Sequence, residues 1–139
     1  QRIPDIPPEI LMVINEVLNP KTIGLIMTLV LPVAAFFSAM LLGLSIYARS
    51  FKEAQSIVAP LNIVIIFPAV IGTLPGMELN SVTALIPVLN VSLASKDIIA
   101  GVINPLYMAE VYLSLFGFAG LAIFWCVKMF NWEKTIFRN

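Results

Sequence analysis

The chain has 139 residues, of which 60% are hydrophobic and 12% are charged, and its mean hydropathy is +0.98. Soluble domains carry about 45–50% apolar and about 25% charged residues, so this composition indicates a membrane protein. The formal net charge is zero. Because nucleic-acid binding needs a basic surface, no nucleic-acid partner is expected.

Histidine is absent from the sequence and there is one cysteine, Cys126. An internal disulfide is therefore impossible, and the commonest side chain of proton shuttles and metal sites is missing. No nucleophile with a base and no pair of acids falls in an apolar run, so no catalytic residues, no metal site and no enzyme activity are expected. The first residue is Gln1, from which we expect a piece of a longer protein.

Residues 1–21 form the first predicted unit. In "PPEILMVINEVLNP", helical winding separates the polar side chains from an apolar arc formed mostly by isoleucine, leucine and valine. A helix with two such faces lies along a membrane surface rather than across it. We therefore predict an interfacial helix, followed by a membrane domain over residues 22–139.

The first predicted spanning helix is Thr22–Ala48, an uncharged run longer than the roughly 20 residues that a bilayer requires. Ala35, Ala39 and Gly43 recur along it every four residues, and small residues at this spacing let membrane helices approach closely. The stripe predicts helix packing, either inside this chain or against a partner subunit.

The polar segment "RSFKEAQ", residues Arg49, Ser50, Phe51, Lys52, Glu53, Ala54 and Gln55, interrupts the apolar sequence before the second predicted helix, Ile57–Leu74. We call it the coupling segment. It is either an exposed docking surface within a 49–56 loop or an anchor that follows the preference of basic residues for the cytoplasmic side.

Region Pro75–Pro105 contains a shorter apolar run, Val82–Ala94, which Pro87 and Asn90 interrupt. Apolar runs of about 10–14 residues are typical of re-entrant or interfacial segments. We predict a re-entrant helical hairpin here, with a full crossing as the alternative.

The last predicted spanning helix is Leu106–Val127, and residues 128–139 form a tail. Glu110 lies within this helix, and a carboxylate at membrane depth marks a pathway or a partner unless it reaches water at the interface. Asn62 and Asn90 are further candidate pathway residues, because their carbonyl oxygens can bind a cation; alternatively, they hydrogen-bond neighbouring helices.

With a re-entrant hairpin, the two ends of the helices carry different numbers of basic side chains. One end carries Arg49, Lys52, Lys128, Lys134 and Arg138, and the other carries Arg2, Lys21 and Lys96. Positively charged loops face the cytoplasm. The sequence thus predicts a multi-pass protein of the cell membrane with a cytoplasmic 49–56 loop and a cytoplasmic C-terminus.

Four segments in this order, "YARSFKEAQ", "APLNIVIIFPAVIGTLPGMEL", "ALIPVLNVSLASKDIIAG" and "FNWEKTIFRN", resemble the C-terminal half of ABC exporter permeases, most closely the NatB-like sodium-efflux permeases. The resemblance implies that the three helices are the last three of such a permease and that Pro75–Pro105 is its external hairpin. It also implies a second permease copy or a missing N-terminal half, and a cytoplasmic ABC ATPase subunit that would meet the coupling segment.

The sequence has no glycine-rich phosphate-binding loop, so ATP would be bound by that partner, and no cofactor is expected in this chain. The predicted function is the membrane-spanning part of an ATP-driven exporter, with sodium as the candidate substrate. The alternative is a non-transporting structural or assembly subunit of a larger membrane complex.

Overall fold

The structure, a computed structural model, describes residues 6–136, and the side chains of residues 6–132. Throughout this part the regular structure is helical: α1 Pro8–Val17, α2 Pro20–Ser45, α3 Phe51–Thr73, a 3-10 turn Thr83–Leu85, α4 Leu89–Ile99 and α5 Pro105–Ile136. Helices α2, α3 and α5 are long and apolar enough to cross a membrane. The prediction of an all-helical membrane protein with three such helices is confirmed.

Helix α3 begins at Phe51, six residues before the predicted start at Ile57. Ser50 caps it, since the Ser50 Oγ accepts a hydrogen bond from the Glu53 N–H at 3.2 Å. The Glu53 Oε2 in turn accepts a hydrogen bond from the Arg49 N–H at 2.7 Å. The predicted 49–56 loop is therefore wrong in its bounds, because residues 51–56 form the first turns of a capped helix.

Helix α5 also continues beyond its predicted end at Val127 and reaches Ile136. Residues 128–136 contain neither glycine nor proline, so nothing in the sequence breaks the helix there. The predicted tail is thus largely helical. Arg2 and Arg138 and the side chain of Lys134, which entered the charge comparison, lie outside the described part of the chain.

Helices α2 and α5 pack against each other in parallel. Contacts between them advance in the same direction along both helices: Thr28 hydrogen-bonds Tyr112 at 2.5 Å, the rings of Phe36 and Phe118 lie 6.0 Å apart edge to face, and the Tyr47 hydroxyl donates to the Met129 sulfur at 3.6 Å. Both helices therefore begin at the same end of the bundle.

Helix α3 returns to that same end. Its Gly72 lies against Ser92 of α4, and α4 shares a buried core with Leu29 in the first half of α2. Because α5 starts at this end too, residues 74–104 leave and re-enter the bundle at one end. In the described residues α3 makes no contact with α5.

In the described residues, two apolar clusters hold the helices together. The larger one joins α4 to α2 and α5 and includes Leu29, Leu93, Ile98, Val111 and Leu115. The smaller one lies further along α2 and α5 and contains Ala39, Ala122 and Cys126. Cys126 is thus a buried packing residue, in agreement with its apolar sequence context.

Candidate functional site

Glu110 is half-buried in the second turn of α5 and is bonded on one side only. Its Oε1 accepts a hydrogen bond from the Ser81 Oγ at 3.2 Å. Its Oε2 is shielded from solvent and has no hydrogen-bond partner among the described residues. Polar atoms buried in this way are rare in folded proteins, and each of them calls for a physical explanation.

Ser81 is held in position by the turn around it. The Asn80 Oδ1 accepts hydrogen bonds from the N–H groups of Val82 and Thr83 at 2.9 and 3.0 Å. The Thr83 Oγ1 accepts the N–H of Asn80 at 2.8 Å. These reciprocal bonds order the turn, and the 3-10 turn that follows packs on α5. The Ser81 hydroxyl is therefore presented to Glu110 by a constrained backbone.

Ser114 lies one helical turn after Glu110 on the same face of α5. Only 8% of its surface is exposed, and its Oγ has no hydrogen-bond partner in the described part of the chain. Glu110 and Ser114 line a groove of about 260 Å³ whose walls are apolar: Leu85, Leu113, Gly117, Phe118 and Leu121. We call this feature the Glu110 groove.

Asn90 is completely buried near the start of α4. Its Nδ2 donates a hydrogen bond to the Ala84 carbonyl at 2.9 Å, whereas its Oδ1 has no partner among the described residues. The bond ties α4 to the 3-10 turn. Of the two uses proposed for Asn90 from sequence, the observed contact is the hydrogen bond to a neighbouring segment.

Asn62 is exposed in the middle of α3. Because α3 does not contact α5 in the described residues, Asn62 and Glu110 stand on helices that do not touch. The structure therefore does not bring the three predicted pathway residues together into one site.

The coupling segment is exposed at the opposite end of the bundle from α4. Phe51 has 80% of its surface exposed, and Arg49, Lys52, Glu53 and Gln55 are exposed as well, while Ala54 is half-buried. A shallow cavity of about 440 Å³ beside it is lined by Tyr47, Ser50, Lys52, Glu53, Ser56 and Ile57. An exposed aromatic ring between two basic side chains is a surface that a protein partner can contact.

The small-residue stripe packs inside the chain. Ala39 and Gly43 are buried and Ala35 is half-buried. Ala39 shares a cluster with Ala122 of α5, and Gly43 lies under the Trp125 ring. Of the two alternatives left open by the sequence, the observed contacts are therefore internal ones.

Asp97 is one of the charged residues at the α4 end of the bundle. Partial burial raises the pKa of this carboxyl above its usual 3.8; nearby Lys96 opposes the rise and nearby Glu78 adds to it. The Lys96 ammonium also donates to the Met77 carbonyl at 3.2 Å. No cluster of three or more histidine, cysteine or acidic side chains that could hold a metal occurs in the described residues.

Sequence reasoning identified Glu110 but missed Ser81 and Ser114. The spacing of Glu110 and Ser114 was a usable signal, because residues four apart share one face of a helix. No comparable signal pointed to Ser81, which is 29 residues from Glu110 along the chain.

No protein-family model, curated protein or solved structure matches this chain.

Proposed function

We propose that the chain is the membrane-spanning permease part of an ATP-driven ABC exporter, with sodium as the candidate substrate. The observation that carries the proposal is the parallel packing of α2 and α5, which makes residues 74–104 start and finish at one end of the bundle. An external hairpin before the final spanning helix is what the resemblance to NatB-like permeases implies.

The depth of α4 supports a re-entrant hairpin. Its buried side chains share a core with Leu29 and Leu115. These residues follow the starts of α2 and α5 by about 14 and 15 Å of helix, at 1.5 Å per residue, which is about half of a hydrocarbon core about 30 Å thick. Helix α4 thus enters one leaflet and the chain returns on the same side.

Helix α1 suits an interfacial position at that side. All of its apolar side chains are exposed, and it contacts only α2 and α4 among the described elements. An amphipathic helix beside the start of a spanning helix buries its apolar face at the boundary between the lipid head groups and the acyl chains. In this orientation α1 lies flat on the outer surface.

The distribution of charge supports a cytoplasmic coupling segment. Arg49, Lys52 and Lys128 stand with one acidic residue, Glu53, at one end of the bundle, whereas Lys21 and Lys96 share the other end with Glu9, Glu16, Glu78 and Asp97. The basic end faces the cytoplasm under the positive-inside rule. A cytoplasmic ABC ATPase would then contact Phe51 and its charged neighbours and supply the energy of ATP hydrolysis.

Further helices are needed to enclose a pathway, because α3 and α5 do not meet in the described residues. A second copy of the chain, or additional spanning segments of a longer permease, would supply them. The apolar surfaces of α3 and α5, including Phe67 and Leu113 with 66% and 78% of their surfaces exposed, are available to lipid or to those helices.

The proposal is tested by reconstituting the full permease with its ATPase in vesicles and measuring ATP-dependent ²²Na⁺ movement. We expect transport that falls when Asn62 and Glu110 are both replaced, as in N62A/E110Q. Absence of ATP-dependent sodium movement in the unaltered complex would contradict the proposal. Unchanged flux in the double variant would remove these two residues from the pathway.

A second candidate function, a non-transporting assembly subunit, is favoured by two observations. Asn90 is engaged in internal packing, and Asn62 stands apart from Glu110. Affinity purification from native membranes separates the two functions. A co-purifying ATPase supports the exporter, whereas a stable complex that contains no ATPase supports the assembly subunit.

A further inference from the structure

We propose that Glu110, Ser114 and Ser81 bind one small monovalent cation at the Glu110 groove. The choice of sodium as the physiological ion rests on the proposed function, whereas the site itself is argued from the contacts of these three residues.

The charge of the Glu110 carboxylate is not balanced within the described residues. Among the described residues no basic side chain forms an ion pair with it, and its single partner is the neutral hydroxyl of Ser81. A carboxylate in an apolar environment is costly unless a countercharge or several hydrogen bonds compensate it. One carboxylate with neutral neighbours is balanced by one positive charge.

Two buried oxygen atoms lack hydrogen-bond partners. The Glu110 Oε2 and the Ser114 Oγ are both shielded from solvent and both unsatisfied within residues 6–132. Ser114, whose hydroxyl can accept a hydrogen bond as well as donate one, is more than nine-tenths buried. Oxygen atoms are the ligands that hard cations prefer. A cation bound to these oxygens would satisfy both of them.

The lining of the Glu110 groove limits the size of the ligand. The walls of the groove are apolar, and its polar atoms lie beneath them. A large organic ammonium ion or a fully hydrated ion has no polar surface to meet there. A small ion that has lost most of its water reaches the carboxylate and hydroxyl oxygens, and carbonyl groups or water complete its coordination.

Ordered elements carry all three residues of the site. The Asn80 and Thr83 side chains fix the turn that carries Ser81, and a continuous helix carries Glu110 and Ser114. Side chains on ordered elements lose little conformational freedom when an ion binds to them. The site thus joins the proposed hairpin to the last spanning helix, so ion occupancy would stabilise their contact.

The test is direct binding of ²²Na⁺ to the purified chain in detergent, with potassium and choline as competitors at constant ionic strength. We expect one saturable ion per chain, which non-radioactive Na⁺ displaces and choline does not. Ser114→Ala should weaken binding about tenfold or more, as does loss of a supporting group at other ion sites, and Glu110→Gln should abolish it. Ser38→Ala, an exposed serine on α2, and Glu9→Gln are the matched controls and should bind normally.

Thermal unfolding separates loss of binding from misfolding, since Ser114→Ala and Glu110→Gln should still unfold cooperatively without Na⁺. Added Na⁺ should raise the Tm of the unaltered chain and of both controls but not that of Glu110→Gln. Absence of saturable ²²Na⁺ binding by the unaltered chain would overturn the site, and so would binding by Ser114→Ala and Glu110→Gln that equals that of the unaltered chain. An infrared band of a protonated carboxyl would also overturn the site under two conditions. The band must disappear in Glu110→Gln, and saturating Na⁺ must leave it unchanged in the unaltered chain. This binding assay needs no ATPase, so the exporter proposal can fail in vesicles while the ion site stands. Conversely, the ion site can fail in the binding assay while the vesicles still show ATP-dependent sodium movement.

Discussion

The Trp125 indole lies so close to Gly43 that no side chain fits between them. A Cβ added at position 43 would stand 2.5 Å from the Trp125 Cζ3. Because this contact lies beside the Ala39, Ala122 and Cys126 cluster, it limits how closely α2 and α5 approach in their second half. Small residues serve this purpose in membrane helices, where packing rather than the hydrophobic effect drives association.

We expect Gly43→Ala to destabilise the chain by about 1–3 kcal/mol, because the Trp125 ring must shift within a packed interface. Gly24→Ala and Gly120→Ala are matched controls on the same two helices, since nothing lies within 4 Å of an added Cβ at either position. Both controls should be neutral or slightly stabilising, as alanine is the better helix former by up to about 1 kcal/mol. Thermal unfolding in detergent measures all three.

A Gly43→Ala variant as stable as the two controls would show that the Trp125 ring moves away without cost. In that case the α2–α5 interface would be loosely packed at this point, and the assignment of the stripe to internal packing would lose its main support.

Asn90→Ala should cost about 1–3 kcal/mol of stability, because the Ala84 carbonyl would lose a buried hydrogen bond. Asn62→Ala is the matched control. Its exposed side chain on α3 predicts a change within about 0.5 kcal/mol. Similar losses for the two variants, measured by thermal unfolding, would contradict the structural role of Asn90.

The long helices were predictable because a bilayer demands about 20 apolar residues, and three runs meet that requirement. Their ends were less predictable. The charged residues after Ser50 suggested a loop, yet serine followed three positions later by glutamate is a helix-start signal. Beyond Val127 the sequence turns polar without a helix breaker, so hydropathy located the end of the apolar run and not the end of α5.

The candidate site was only partly predictable. Glu110 stood out because it is an isolated charge in an apolar run. Ser114 was missed, although its position four residues after Glu110 on one helix face could have identified it. The contact with Ser81 depends on how the segment before α4 folds back onto α5, which no periodicity in one sequence reveals. The separate surroundings of Asn62 and Asn90 likewise follow from tertiary packing.

Asp97 should make stability depend on pH. Partial burial raises its pKa in the folded chain above 3.8, so the folded state holds the proton more firmly than the unfolded state. The stabilisation from this proton is complete below the unfolded-state pKa and is lost as the pH rises through the folded-state pKa. Asp97→Asn should therefore raise the Tm at neutral pH and flatten the decline of Tm with rising pH just above 3.8.

Glu9→Gln controls for the general effect of removing an exposed carboxylate. Lys96→Gln should have the opposite effect to Asp97→Asn, since Lys96 lowers the pKa of Asp97 and favours its charged form. A Tm profile that Asp97→Asn leaves unchanged would show that partial burial does not penalise this carboxylate.

The orientation of the hairpin can be read from the accessibility of single cysteines. In a Cys126→Ser background, Lys21→Cys and Lys96→Cys should react with a membrane-impermeant maleimide in intact cells, whereas Lys52→Cys and Lys128→Cys should react only after permeabilisation. All four lysines are exposed, so the pattern depends on the side of the membrane rather than on burial. Lys21 and Lys52 flank the first crossing and serve as internal references. Labelling of Lys96→Cys together with Lys52→Cys would mean that residues 74–104 cross the bilayer, which would contradict both the re-entrant hairpin and the parallel arrangement of α2 and α5.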